Sequence, residues 1–204
     1  MRLFTGIAIA PYVLSNLARV LKELRPLAQV RWSPVENLHI TTKFIGECPG
    51  EQLEELEEAL GKVKPRPPFD VQIAQFGYLP SAQKARTFFA GVHSGPELSQ
   101  LAAQTDEALK PLGVEKEDRP YTPHLTLARI KHENIRELRE HTGQMTNLDF
   151  GIFPVTEFQL YSSKTGPRGS VYTTLATYTL ARKATSINVS PSSSSPSSLA
   201  GSPE

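Results

Sequence analysis

A histidine and a threonine two residues apart occur twice in the chain, in His39-Ile40-Thr41-Thr42 and in His124-Leu125-Thr126-Leu127. An imidazole with a pKa near 6.5 serves as a base in one copy and as an acid in another at neutral pH. A threonine hydroxyl donates a hydrogen bond to an anionic oxygen. Two such pairs facing each other would surround a phosphate. One imidazole would take a proton from attacking water, the other would protonate the departing oxygen on the opposite side, and the hydroxyls would hold the non-bridging oxygens. A single His-x-Thr in a strand is most often structural, so the chemistry rests on the matched pair. His93, His132 and His141 have no threonine two residues on and read as surface or helix-end residues. No cluster of Asp and Glu with metal-ligand spacing accompanies either motif, so the expectation is a reaction with no metal and no cofactor.

Both motifs must sit on strands. The runs LHITTKFI (38–45) and HLTLARI (124–130) are apolar and β-branched, and alternation along a strand aims His and Thr at one face. His39 and His124 lie 85 positions apart, as do Thr41 and Thr126, Pro11 and Pro96, Ile45 and Ile130, and Leu53 and Leu138. An offset of 84 relates Phe69 to Phe153 and Val71 to Val155. Each half reads as strand, helix, His-x-Thr strand, helix, strand, which indicates a duplicated unit with pseudo-two-fold symmetry. Around the motifs the pattern predicts strands at 3–9, 69–79, 86–93, 153–162 and 171–180. Helices are predicted at 11–28, 50–63, 133–141 and from a Ser94-Gly-Pro-Glu97 capping box to 112.

The length of 204 residues fits one domain, 1–182, with pseudo-symmetric halves of about 1–84 and 85–182. The Ser/Pro-rich segment 183–204 has no apolar surface to offset its ordering entropy and is expected to be disordered. A net charge of +1 argues against a broad sequence-independent nucleic-acid groove but permits a small nucleotide or one RNA end. A single cysteine, Cys48, excludes an intramolecular disulfide and fits a reducing, cytoplasmic setting. The start, MRLFTGIAIAPYVL, alternates like a strand rather than a signal peptide, and no run approaches the ~20 apolar residues of a membrane span. A monomer is expected.

With Arg2-Leu3-Phe4 opening the first strand, Glu36-Asn37-Leu38-His39-Ile40-Thr41 followed by Phe44-Ile45-Gly46-Glu47, and Thr122-Pro123-His124-Leu125-Thr126-Leu127-Ala128-Arg129, residues 1–181 resemble the 2H phosphoesterases. More narrowly they resemble the RNA 2',3'-cyclic phosphodiesterases, or 2'-5' RNA ligase-like proteins. Thr42 departs from the leucine usual there. The resemblance implies an α+β fold, a bilobal single domain from an internal duplication, in which two mainly antiparallel sheets line a central cleft with helices on the outside. It implies hydrolysis of RNA ends or nucleoside 2',3'-cyclic phosphates to 2'-phosphates. His39 is taken as the acid for the ribose 3' oxygen and His124 as the base for water, an order that the near-symmetric sequence does not fix.

The substrate-binding candidates begin with Thr41 and Thr126. Lys43 shares their parity and would edge the pocket, unless it is a solvated surface lysine. The resemblance makes Arg129 a substrate contact. Yet it lies an odd number of residues past His124, so a bulge, a strand end or its long side chain must bring it round. Phe4, Trp32 and Tyr121 could stack on a base, and Arg168, in a loop between the last strands, could touch an RNA phosphate. Two other functions remain open: 2'-5' RNA ligation at the same site, and a nucleotide-binding module without turnover.

Overall fold

The computed structural model describes residues 1–180 apart from 65, 118, 147, 167 and 168. The expected tail 183–204 and the candidate Arg168 lie outside the described residues. The chain order is β1 (Arg2–Ala8), α1 (Pro11–Leu24), β2 (Arg31–Trp32), β3 (His39–Glu47), α2 (Leu53–Gly61), β4 (Phe69–Leu79) and β5 (Thr87–Ser94). There follow α3 (Pro96–Leu109), β6 (His124–Arg129), α4 (Arg136–Gln144), β7 (Asp149–Val155), β8 (Glu157–Gly166) and β9 (Gly169–Thr179). Among the described residues no helix is long and apolar enough to cross a membrane.

The two long helices form for the reasons the pattern gives. Each opens on a proline, Pro11 or Pro96, whose missing N–H costs nothing in the first turn. Val13, Leu17, Leu21 and Leu24 of α1 recur three or four apart and are buried, as are Leu98, Leu101, Thr105 and Leu109 of α3. The predicted capping box does not form, since Gly95 is the N-cap and no side chain caps α3. α1 ends at Leu24 rather than near 28, giving way to a tighter turn at Arg25–Leu27 where Pro26 interrupts the ladder.

The strands lie in the order β7-β4-β5-β6-β3-β1-β8-β9, and every pair along it is antiparallel. Two arms, β7-β4-β5-β6 and β3-β1-β8-β9, meet at one paired position, Ile40 opposite Leu125. The arms are not the two halves of the sequence. β4 precedes residue 84 yet joins the arm of β6, while β8 and β9 return to the arm of β1. The helices cross as well. α1 follows β1 but packs on β7, where Asn16 Nδ2 donates to the Phe150 carbonyl at 2.9 Å; α3 follows β5 but packs on β3. One hydrophobic core runs through both arms.

Two predictions fail here. The expected strand 153–162 is two strands, with β7 on β4 and β8 on β1. The buried residues switch from odd positions (Phe153, Val155) to even ones (Phe158, Leu160), and that switch marks the crossing from one arm to the other. The offset of 84 also has a different meaning. Phe69 pairs with Val155 and Val71 with Phe153, so these residues are cross-strand partners within one arm. By its place beside β5, the counterpart of β4 is β8, which lies beside β1.

Each His-x-Thr strand carries a β-bulge just past its threonine. In β3, Thr41 is opposite Gly6 and Lys43 opposite Thr5, which leaves Thr42 as the extra residue. In β6, Thr126 is opposite Phe89 and Ala128 opposite Phe88, which leaves Leu127 extra. A bulge lets two successive side chains point the same way. Thr42 and Lys43 are both 4% exposed, Leu127 and Ala128 are 0%, and Phe44 and Arg129 emerge on the open side. The parity argument for Lys43 is therefore wrong. Its ammonium is buried against α3, 2.6 Å from Asp106 Oδ1, and donates to the Glu115 carbonyl at 2.6 Å. Removing one partner of a buried pair strands the other charge, so Lys43→Ala is expected to cost about 3 kcal/mol of stability in urea unfolding. The double change Lys43→Met with Asp106→Leu is expected to recover most of that loss.

Candidate active site

The Ile40–Leu125 pair sets the site. Both side chains are 0% exposed, so their neighbours at odd spacing face the other way, out of the core. The register of that pair puts His39 across from Thr126 and Thr41 across from His124. Each imidazole thus has the other motif's hydroxyl as its lateral neighbour, and all four side chains share one surface.

Both rings are held alike. His39 Nδ1–H donates to the Asn37 carbonyl at 2.7 Å, and His124 Nδ1–H donates to the Thr122 carbonyl at 2.9 Å. A carbonyl oxygen only accepts, so Nδ1 carries the hydrogen and Nε2 is the atom left for chemistry. Asn37 has a second task that the sequence reading missed: its Nδ2 donates to the Ser170 carbonyl at 2.7 Å, tying β9 to the His39 side.

The surroundings of the two rings differ. His39 sits 4.7 Å from Phe4, 5.1 Å and edge-on from Tyr172, and 6.0 Å from Tyr161 by ring centroids. Burial in this aromatic wall pushes its pKa below 6.5; the bond to Asn37 opposes that, and the charges of Arg129 and His124 add to it. His124 has Phe89 edge-on at 5.6 Å, and its carbonyl bond lies at the exposed surface. Room for the His39 ring comes from Gly6. A Cβ there would stand 3.4 Å from His39 Cδ2 and 2.8 Å from the Ile40 carbonyl oxygen.

Of the remaining sequence candidates, the bulge at Leu127 brings Arg129 onto the open face with His124 and Thr126. Phe4 is 4% exposed and stacks on Tyr161 at 5.1 Å, so it forms the wall behind His39 rather than an open stacking surface. Tyr121 is half-buried beside β3. Its hydroxyl donates to the Thr41 carbonyl at 2.9 Å, pinning the loop 114–123 to β3, and burial pushes its pKa up. Trp32 points to the core: it is opposite the buried Ala128, its Nε1 donates to the Ala28 carbonyl at 3.1 Å, and its ring meets Phe88 edge-on. Lys43 is in the core, as described above. Besides Asn37 and Gly6, the structure adds Tyr161 and Tyr172, which reach His39 only because β8 pairs with β1, and Phe44. Phe44 was not singled out in the sequence, but it stands 85 positions before Arg129, the same offset as the two motifs. A cleft of about 720 Å³ adjoins Phe44, lined also by Glu47, Cys48, Leu56 and Glu115, and includes neither His39 nor His124.

Comparison with known proteins agrees with this geometry. Residues 7–89 and 92–172 match the model of the LigT like Phosphoesterase family. A protein of Archaeoglobus fulgidus named RNA 2',3'-cyclic phosphodiesterase is 33% identical over 178 residues, covering 87% of this chain and 99% of the relative. One of the same name from Methanocaldococcus jannaschii is 31% identical over 173 residues, covering 84% and 96%. Among solved structures, E. coli LigT complexed with 3'-AMP superposes with a TM-score of 0.73 at 26% identity, covering 89% of this chain and 98% of that one. A protein of Thermus thermophilus, TT0787, superposes with a TM-score of 0.72 at 29% identity, covering 88% and 98%. The paired His-x-Thr strands and their two-armed sheet are those of a 2H phosphoesterase, and the chain belongs to the LigT-like family of these enzymes.

Proposed function

We propose that this protein hydrolyses terminal RNA 2',3'-cyclic phosphates to 2'-phosphates, without a metal, by acid–base catalysis from His39 and His124. The observation that carries the reading is the Ile40–Leu125 register, which turns His39, Thr41, His124 and Thr126 to the same side, with both Nδ1 atoms donating to backbone carbonyls. The names of the relatives from Archaeoglobus fulgidus and Methanocaldococcus jannaschii support the substrate class.

In this reading Thr41 and Thr126 donate to the non-bridging oxygens of the cyclic phosphate. His124 Nε2 takes a proton as water attacks phosphorus. The bond to the ribose 3' oxygen breaks on the far side, and that oxygen takes the proton from His39 Nε2. The unequal surroundings support this order. His124 is at the open surface that supplies water. His39 is in the drier wall, where a lowered pKa makes its imidazolium the stronger acid for an alkoxide leaving group. The negative charge of the bound phosphate favours that imidazolium and offsets the burial.

The test is incubation with nucleoside 2',3'-cyclic phosphates and a cyclic-phosphate-ended oligonucleotide in the presence of chelator, with 2'- and 3'-phosphate products resolved. Hydrolysis to the 2'-phosphate is expected, and absence of turnover or a 3'-phosphate product would sink the proposal. His39→Ala and His124→Ala are each expected to lose about 10²- to 10⁴-fold in kcat.

In NMR titration the His39 ring is expected to protonate below 6.5 in the free protein and to shift upward when a 2'-nucleotide is bound. Because its folded-state pKa is lowered, His39 contributes stability that is fully present above about 6.5 and is lost as pH falls through the folded value. Gly6→Ala must move either a strand backbone or the ring; it is expected to cost about 1–3 kcal/mol of stability and to lower kcat.

A further inference from the structure

β2 consists of Arg31 and Trp32 alone, and its pairing sets Arg31 opposite Arg129 and Trp32 opposite Ala128. Opposed residues of an antiparallel pair point to the same face. Trp32 and Ala128 take the core side, so Arg31 and Arg129 stand together on the open side, both exposed, on the face that carries His124 and Thr126. Among the described residues neither forms an ion pair. Like charges directly opposed are destabilising, and a two-residue strand offers little pairing energy in return. Such an arrangement suits an anion held between the two guanidinium groups, whose forked donors fit phosphate oxygens.

The position identifies which anion. Arg129 lies three residues beyond Thr126, about 10 Å along β6 or less across the bulge, and its charge reaches His39. Arg31 is one strand to the side of Arg129. The Arg pair is thus a short step beyond the phosphate held by the histidines. A 3' RNA end bearing a cyclic phosphate has its next phosphate on the 5' side of the same nucleoside. We propose that Arg31 and Arg129 form a second phosphate subsite for that penultimate phosphodiester, and that Arg31 makes RNA ends better substrates than single nucleotides. This inference rests on the cyclic phosphodiesterase reading.

The experiment compares kcat/KM for adenosine 2',3'-cyclic phosphate with that for a dinucleotide ending in the same group. Matched dinucleotides carry either a phosphodiester or an uncharged methylphosphonate linkage. The wild-type protein is expected to prefer the phosphodiester dinucleotide. Arg31→Ala is expected to lower the dinucleotide-to-mononucleotide ratio about fivefold through KM and to flatten the salt dependence by about one released ion. Arg31→Lys restores most of the ratio and Arg31→Glu lowers it further. The methylphosphonate linkage removes the preference in the wild-type protein, an arm that needs no variant to fold. An unchanged ratio in Arg31→Ala, or a preference that survives the uncharged linkage, overturns the subsite. If the wild-type protein hydrolyses neither substrate, the phosphodiesterase reading itself fails.

Discussion

The site depends on one backbone contact. Among the described residues the arms of the sheet pair with each other only through Ile40 and Leu125, and both of these side chains are fully buried. Burial fixes the register, because a slip by one residue would drive His39 and Thr41 into the core and lift Ile40 into water. The same contact brings two motifs from distant parts of the chain side by side. Since the strands pair at only this position, the face that bears the histidines forms a junction between arms rather than a flat sheet.

The paired bulges make a nearly symmetric chain into an asymmetric site. After Thr41 and after Thr126, one extra residue turns two successive side chains inward. In one arm these are Thr42 and Lys43, in the other Leu127 and Ala128. The next residue returns to the open face, as Phe44 in one arm and Arg129 in the other. One motif is therefore flanked by aromatic rings and the other by cationic charge. That division gives the two imidazoles different environments, a difference acid–base catalysis can use.

Interleaving holds these parts in place. Each long helix leaves one arm and packs on the other, and β4, β8 and β9 are exchanged between the sequence halves. Neither half has a complete sheet of its own, which explains why one core spans both arms. Around β3 the fastening is polar. Lys43 binds α3 and the Glu115 carbonyl, Tyr121 binds the Thr41 carbonyl, and Asn37 joins the His39 carbonyl bond to β9. These contacts hold the segments on either side of the strand that carries His39.

The residue types, the alternation that puts His and Thr on one face, the amphipathic helices and the extent of β4 were all legible in the chain, because each follows from spacing within one segment. The exchange at Val155 left a trace in the shift of apolar parity, and the shared offset of Phe44 and Arg129 hinted at equivalent places. The inward turn of Lys43, the core position of Trp32, the tyrosines beside His39 and the facing of Arg31 by Arg129 had no local sign. Each of these depends on which backbone lies alongside and whether a bulge interrupts the pairing, and strand partners are chosen by the packed whole. The sequence by itself determined the chemical groups and their periodicity; the tertiary structure decided which of them meet, because parity is local to a strand while register and bulge belong to a pair of strands.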